Sequence, residues 1–209
     1  MNEPNISDYG LIGDTRTAAL CSVEGSIDWM CAPSFDSEPI FGRLLGGAQN
    51  GSFALTVEDV VHKRRRYRGE SAVLETAIAA SEGAGRLVDG MALEVEESLL
   101  PSTVLVRTLI CDRGTLRARI LFDPKAGLPG TTPRTGRRAG TLVCDWGSLA
   151  VTLQSFPDIA LSAGQETVTE LSAGSTLTLV MTIADRAPAI LGLNKNPQKT
   201  RETTENNAQ

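Results

Sequence analysis

Between residues 15 and 185 apolar and polar positions alternate with a period of two, and the alternation is broken repeatedly by short Gly-containing turns. That pattern predicts half-buried strands joined by tight connections. Residues 17–23 and 26–32 flank Glu24-Gly25, where Gly25 supplies the positive φ that a two-residue hairpin needs. In this register Leu20 faces Trp29 and Ala19 faces Met30. Ala18, Leu20, Ile27, Trp29 and Cys31 then share one side, and Ala19, Cys21, Val23, Asp28 and Met30 the other. Both sides are largely apolar, so the hairpin is expected to be covered on both, with Trp29 in the core.

Further strands are predicted at residues 52–57, 72–80, 86–93, 141–146, 149–154, 159–161, 166–171 and 175–184. Residues 104–112 and 115–123 read as another hairpin around Arg113-Gly114. One short helix is expected after a Ser37 cap, with Phe41, Leu44 and Leu45 at helical spacing and Gly46-Gly47 ending it. The basic run from Lys63 to Arg66 reads as a solvated loop or the start of a strand, and the sole histidine, His62, as an exposed loop residue. Residues 124–140, rich in Gly, Pro, Thr and Arg, read as a long exposed loop. About a dozen short strands and one helix predict an all-β fold: an antiparallel, supersandwich-like β-sandwich over residues 1–193. The polar stretch 194–209 reads as a linker or tail that frays alone.

Composition narrows the classes. The 209 residues carry a formal net charge of −5 and no long basic face, so nucleic acid is not an expected partner. No apolar run approaches a membrane span, and the amino terminus lacks a secretory leader, so a cytoplasmic protein is expected. Four cysteines at positions 21, 31, 111 and 144 form no C-x-x-C pair and are expected as small buried hydrophobes rather than disulfides or metal ligands. No serine sits in a nucleophile-elbow context beside His62, and Gly10 and Gly13 complete neither nucleotide-binding fingerprint. No cofactor and no metal are expected.

Three segments are more specific. Residues 9–20 read YGLIGDTRTAAL, residues 25–30 GSIDWM, and residues 33–46 PSFDSEPIFGRLLG; residues 64–76 follow with RRRYRGESAVLET. Together they resemble the opening of bacterial glycoside hydrolase family 15 proteins, the trehalase and glucoamylase-like enzymes. The resemblance implies a non-catalytic N-terminal β-sandwich that packs against an α/α barrel holding the catalytic glutamates. No segment here resembles that barrel, so no catalytic residue is carried over. The implied partner is the barrel, in the same or a separate chain, with trehalose or another α-glucoside reached only through it. The alternative readings are a stand-alone module binding an α-glucan or a protein, and a gene fragment with no retained function.

Within this frame Asp14 and Asp28 are expected as structural acceptors for backbone N–H groups and for Arg16, because a buried carboxylate without partners is costly. Trp29, Phe35, Asp36 and Phe41 are the residues expected near the domain junction. Phe35, Ile40 and Phe41, with Ile190 and Leu193, are expected to form an apolar docking patch. Trp146, at a turn, is expected to be partly exposed.

Overall fold

The computed structural model describes residues 5–92 and 102–185, and most of these lie in antiparallel strands. In chain order they are β1 (Tyr9–Gly13), β2 (Ala18–Ser22), β3 (Ser26–Cys31), β4 (Pro39–Phe41), β5 (Ser52–Val57), β6 (Val60–Tyr67) and β7 (Leu74–Ala80). They continue as β8 (Gly83–Ala92), β9 (Ser102–Asp123), β10 (Arg134–Arg138), β11 (Thr141–Asp145), β12 (Leu149–Phe156), β13 (Glu166–Ser172) and β14 (Thr176–Asp185). A single helical turn, α1 (Arg43–Gly46), follows β4.

The strands form two sheets that share β9. The order β1-β2-β3-β5-β9-β13 makes one, with β4 also paired to β3. The order β6-β7-β8-β9-β14-β12-β11-β10 makes the other. Ser102–Ile110 pairs with β14, whereas Thr115–Leu121 pairs with β13. The predicted hairpin at Arg113-Gly114 is therefore a bend within one continuous strand. Gly114 adopts φ +66°, and beside it the pairing of β8 with β9 skips Asp112, a bulge that turns the strand from one sheet into the next.

Inward-facing residues of both sheets meet in one hydrophobic cluster, from Ile12, Cys21, Ile27 and Met30 to Leu105, Leu109, Val151 and Met181. That packing makes the fold a sandwich. Phe41, Phe53 and Phe122 form an aromatic triad within it, with ring centroids 5.1 to 6.1 Å apart. All four cysteines are buried and free.

Several expectations change. A bulge between β2 and β3 pairs Cys21 with Ile27, which moves Ile27 to the core side with Ala19 and Met30. Trp29 stays opposite Leu20, on the outer side, half-buried and outside the core cluster. Phe41 lies in β4 rather than in a helix, and Ser37 closes a Ser34–Ser37 turn instead of capping one. The basic run is the body of edge strand β6, so His62 is exposed on a strand. Residues 159–161 are not a strand. The long loop contains β10 and is held down elsewhere: Lys125 and Gly127 donate backbone N–H groups to Ile40 and Pro39, and the Trp146 indole donates to the Thr131 carbonyl at 2.9 Å. Trp146 is half-buried. The predicted tail 194–209, Ile190 and Leu193 lie outside the described residues.

Candidate functional site

The signature segments fold into one corner of the first sheet, built from β1, β2, β3, β4 and α1. Asp14 begins the β1–β2 turn, where its Oδ1 accepts the backbone N–H groups of Arg16 at 3.0 Å and Thr17 at 2.9 Å. These bonds hold Thr15 at φ +73°, a left-handed conformation that a β-branched residue seldom adopts. The Arg16 side chain is exposed and forms no ion pair among the described residues, so the sequence paired the wrong group with Asp14. Thr17 is fully buried and donates its hydroxyl to the Cys31 carbonyl, tying the turn to β3.

Asp28 is 2% exposed. Its Oδ2 accepts the Tyr9 hydroxyl at 2.8 Å, its Oδ1 accepts the Ser26 hydroxyl at 2.6 Å, and the Arg43 guanidinium lies 3.7 Å away. Burial, reinforced by the bond to Asp28, pushes the Tyr9 phenol well above its ordinary pKa. Both carboxylates are thus acceptors, Asp14 for main-chain donors and Asp28 for side-chain donors. Asp14, like Asp28, is buried.

Phe35 is 61% exposed, and its backbone N–H donates to the Arg16 carbonyl at 3.1 Å. Beside it Asp36 is exposed, with its pKa lowered by the Ser34 hydroxyl, which donates to it at 2.5 Å. Phe41 and Ile40 are fully buried, so neither belongs to an exposed docking patch. Of the four predicted junction residues, Phe35 and Asp36 lie at the surface, Trp29 half-emerges from it, and Phe41 is core.

The sequence reading missed Arg107. Fully buried on β9, it donates from Nε to Asp89 at 2.8 Å, from Nη1 to the Phe53 carbonyl at 2.5 Å and from Nη2 to the Gly25 carbonyl at 2.8 Å. Its guanidinium also lies 4.9 Å from the Phe53 ring centroid. It therefore pins the β2–β3 turn and β5 of one sheet to β8 and β9 of the other. No cluster of three or more His, Cys, Asp or Glu suited to a metal occurs among the described residues. No helix among them is long and apolar enough to cross a membrane.

A comparison with protein families decides the lineage, since the trehalase-like N-terminal family matches residues 1–193. The chain belongs to that family. It is 42% identical over 74 residues to a trehalase of Mycolicibacterium smegmatis, covering 35% of this chain and 11% of that protein. A trehalase of Mycobacterium tuberculosis is 30% identical over 136 residues, covering 58% of this chain and 20% of that protein. A trehalase of Thermoplasma volcanium is 37% identical over 75 residues, covering 35% and 12%. The chain thus spans a fifth or less of the length of these relatives.

Proposed function

We propose that this chain is the non-catalytic N-terminal domain of a trehalase-type protein of glycoside hydrolase family 15, working in the cytoplasm by packing against a catalytic α/α barrel. The family match over residues 1–193 carries the reading, because those residues include the whole of the sandwich. Its two buried signature carboxylates support it. Asp28 accepts through both oxygens and Asp14 through Oδ1 in holding the corner together, whereas inverting glycoside hydrolysis needs one carboxyl kept protonated as acid and a second free to activate water. The four buried free thiols suit a reducing compartment.

Under this reading trehalose or a related α-glucoside is bound and hydrolysed by the barrel, and the sandwich shapes or stabilises its partner. The test is to express the remainder of the Mycolicibacterium smegmatis trehalase, outside its matched segment, with and without this chain. Co-expression is expected to raise the yield of soluble, trehalose-hydrolysing protein. Equal yield and activity in both cases would contradict the reading.

A further inference from the structure

We propose that the solvent face of β1, β2 and β3, extended at the β1–β2 turn by Arg16 and Phe35, is the surface on which this domain receives the remainder of a trehalase-type polypeptide. The inference rests on the accessory-domain reading and adds the contact surface to it. Leu11 pairs directly with Leu20, and Leu20 with Trp29, so the three side chains form one row across three strands. All three point away from the core cluster, and Leu11 is 53% exposed. Gly13 pairs with Ala18 on the same side, between this row and the turn, and their small size leaves the surface there flat.

The rest of that sheet's outer face is different in kind. On β9 and β13, Arg119 pairs with both Glu58 and Glu166, and Arg117 with Glu58, giving a solvated network that favours water over a partner. Val168, opposite Arg119, is a large apolar residue exposed there but set among these charges, whereas the unbroken apolar row lies on the signature strands. Docking by addition of a further strand to β1 is blocked, because the Tyr67 hydroxyl accepts the Leu11 N–H at 2.8 Å and donates to the Leu11 carbonyl at 3.0 Å. A partner must meet the side-chain face instead.

The turn end is held rigidly for such a contact. Asp14 fixes the strained Thr15, and the Phe35 N–H locks the second loop onto Arg16. Phe35 presents an exposed aromatic ring and Arg16 an exposed side chain with no ion pair among the described residues, and aromatic residues and Arg are both enriched at protein interfaces. The complementary surface is apolar with a carboxylate opposite Arg16. The occupant follows from length: four-fifths or more of each matched trehalase lies outside the matched part, and that part must be packed against something.

The experiment co-expresses the full chain, affinity-tagged, with the remainder of the Mycolicibacterium smegmatis trehalase. Leu11→Arg, Arg16→Glu and Phe35→Asp are compared with Val61→Asp and Val168→Arg, which alter exposed residues outside β1, β2 and β3, Val61 on β6 and Val168 on β13. Melting curves verify that each variant folds. The parent and the two controls are expected to retain the remainder, and each face variant to lose about tenfold of it. Retention by folded face variants equal to the parent would overturn this surface and leave the accessory reading standing. No retention by the parent would contradict the accessory reading itself, and this surface with it.

Discussion

Arg107 and Asp89 are direct cross-strand partners on β9 and β8, joined at 2.8 Å with side chains 0% and 2% exposed. The pair sits between the sheets, and the remaining guanidinium donors reach the Gly25 and Phe53 carbonyls of the opposite sheet. Removing the cation leaves the buried Asp89 carboxylate without its counterion and takes a charged donor from each of the two carbonyls. Arg107→Ala is expected to cost about 3–5 kcal/mol, read from urea unfolding. A loss below about 1 kcal/mol would show that water replaces the guanidinium without penalty.

The bend in β9 gives a second prediction. A Cβ on Gly114 would lie 2.1 Å from the Glu82 carbonyl oxygen and would also force an L-residue to φ +66°. Gly147 has φ +89° with nothing within 4 Å of such an atom. Both Ala variants pay for the backbone conformation, roughly 1 kcal/mol, but only Gly114→Ala adds the clash. Thermal unfolding is expected to rank Gly114→Ala clearly below Gly147→Ala. Equal melting would mean that the strand does not turn at Gly114.

Phe41 and Trp29 separate core from surface within the signature. Phe41→Ala removes a fully buried ring from the aromatic triad and is expected to cost about 3–5 kcal/mol. Trp29→Ala, at a half-buried outer position, is expected to cost less, about 1–2 kcal/mol. Chemical denaturation of the two variants checks the order, and a reversed order would return Trp29 to the core.

Burial alone would raise the Glu75 pKa, but hydrogen bonds from Arg66 and Arg68 at 2.7 to 3.0 Å outweigh it and hold the carboxyl below its ordinary value. Because the folded value is the lower one, the clamp contributes its full stability above the ordinary glutamate range. That contribution is lost as pH falls from there through the folded value. Glu75→Gln is therefore expected to be less stable than the parent near neutral pH, with the gap narrowing progressively as pH falls below the ordinary glutamate range. A gap that stays constant across this range would show that the charge on Glu75 is immaterial.

The strand content, the Glu24-Gly25 hairpin and the buried cysteines were legible because alternation and turn glycines are local signals. Bulges are not local. One extra residue at Asp28 moved Ile27 to the core face while Trp29 stayed outside, and the bulge at Asp112 turned an apparent hairpin into a bend. Strands β1 and β10 were missed, and β6 was left open between a loop and the start of a strand, for a related reason. They are edge strands whose exposed or charged residues blur the alternation, as edges that resist unwanted pairing commonly do. Arg107 and Asp89 did leave a trace in the sequence. Each is a charge at an inward parity position, between Leu105 and Leu109 and between Leu87 and Met91, where opposite signs on two strands signal a buried pair. At the corner, the carboxylates Asp14 and Asp28 were recognised as acceptors. The backbone donors of Asp14 were expected too, but the side-chain donors of Asp28 were not, because Tyr9, Ser26 and Arg43 meet Asp28 only once β1, β3 and α1 are assembled.

The central claim is that this sandwich is an accessory domain and not itself a catalyst. Its most direct test is glucose release by the purified chain incubated with trehalose. The account predicts no release above buffer, for the parent and for Asp14→Asn and Asp28→Asn alike. Sustained release by the parent that disappears in either Asn variant would contradict it, and would move those carboxylates from holding the corner together to hydrolysing a glycosidic bond.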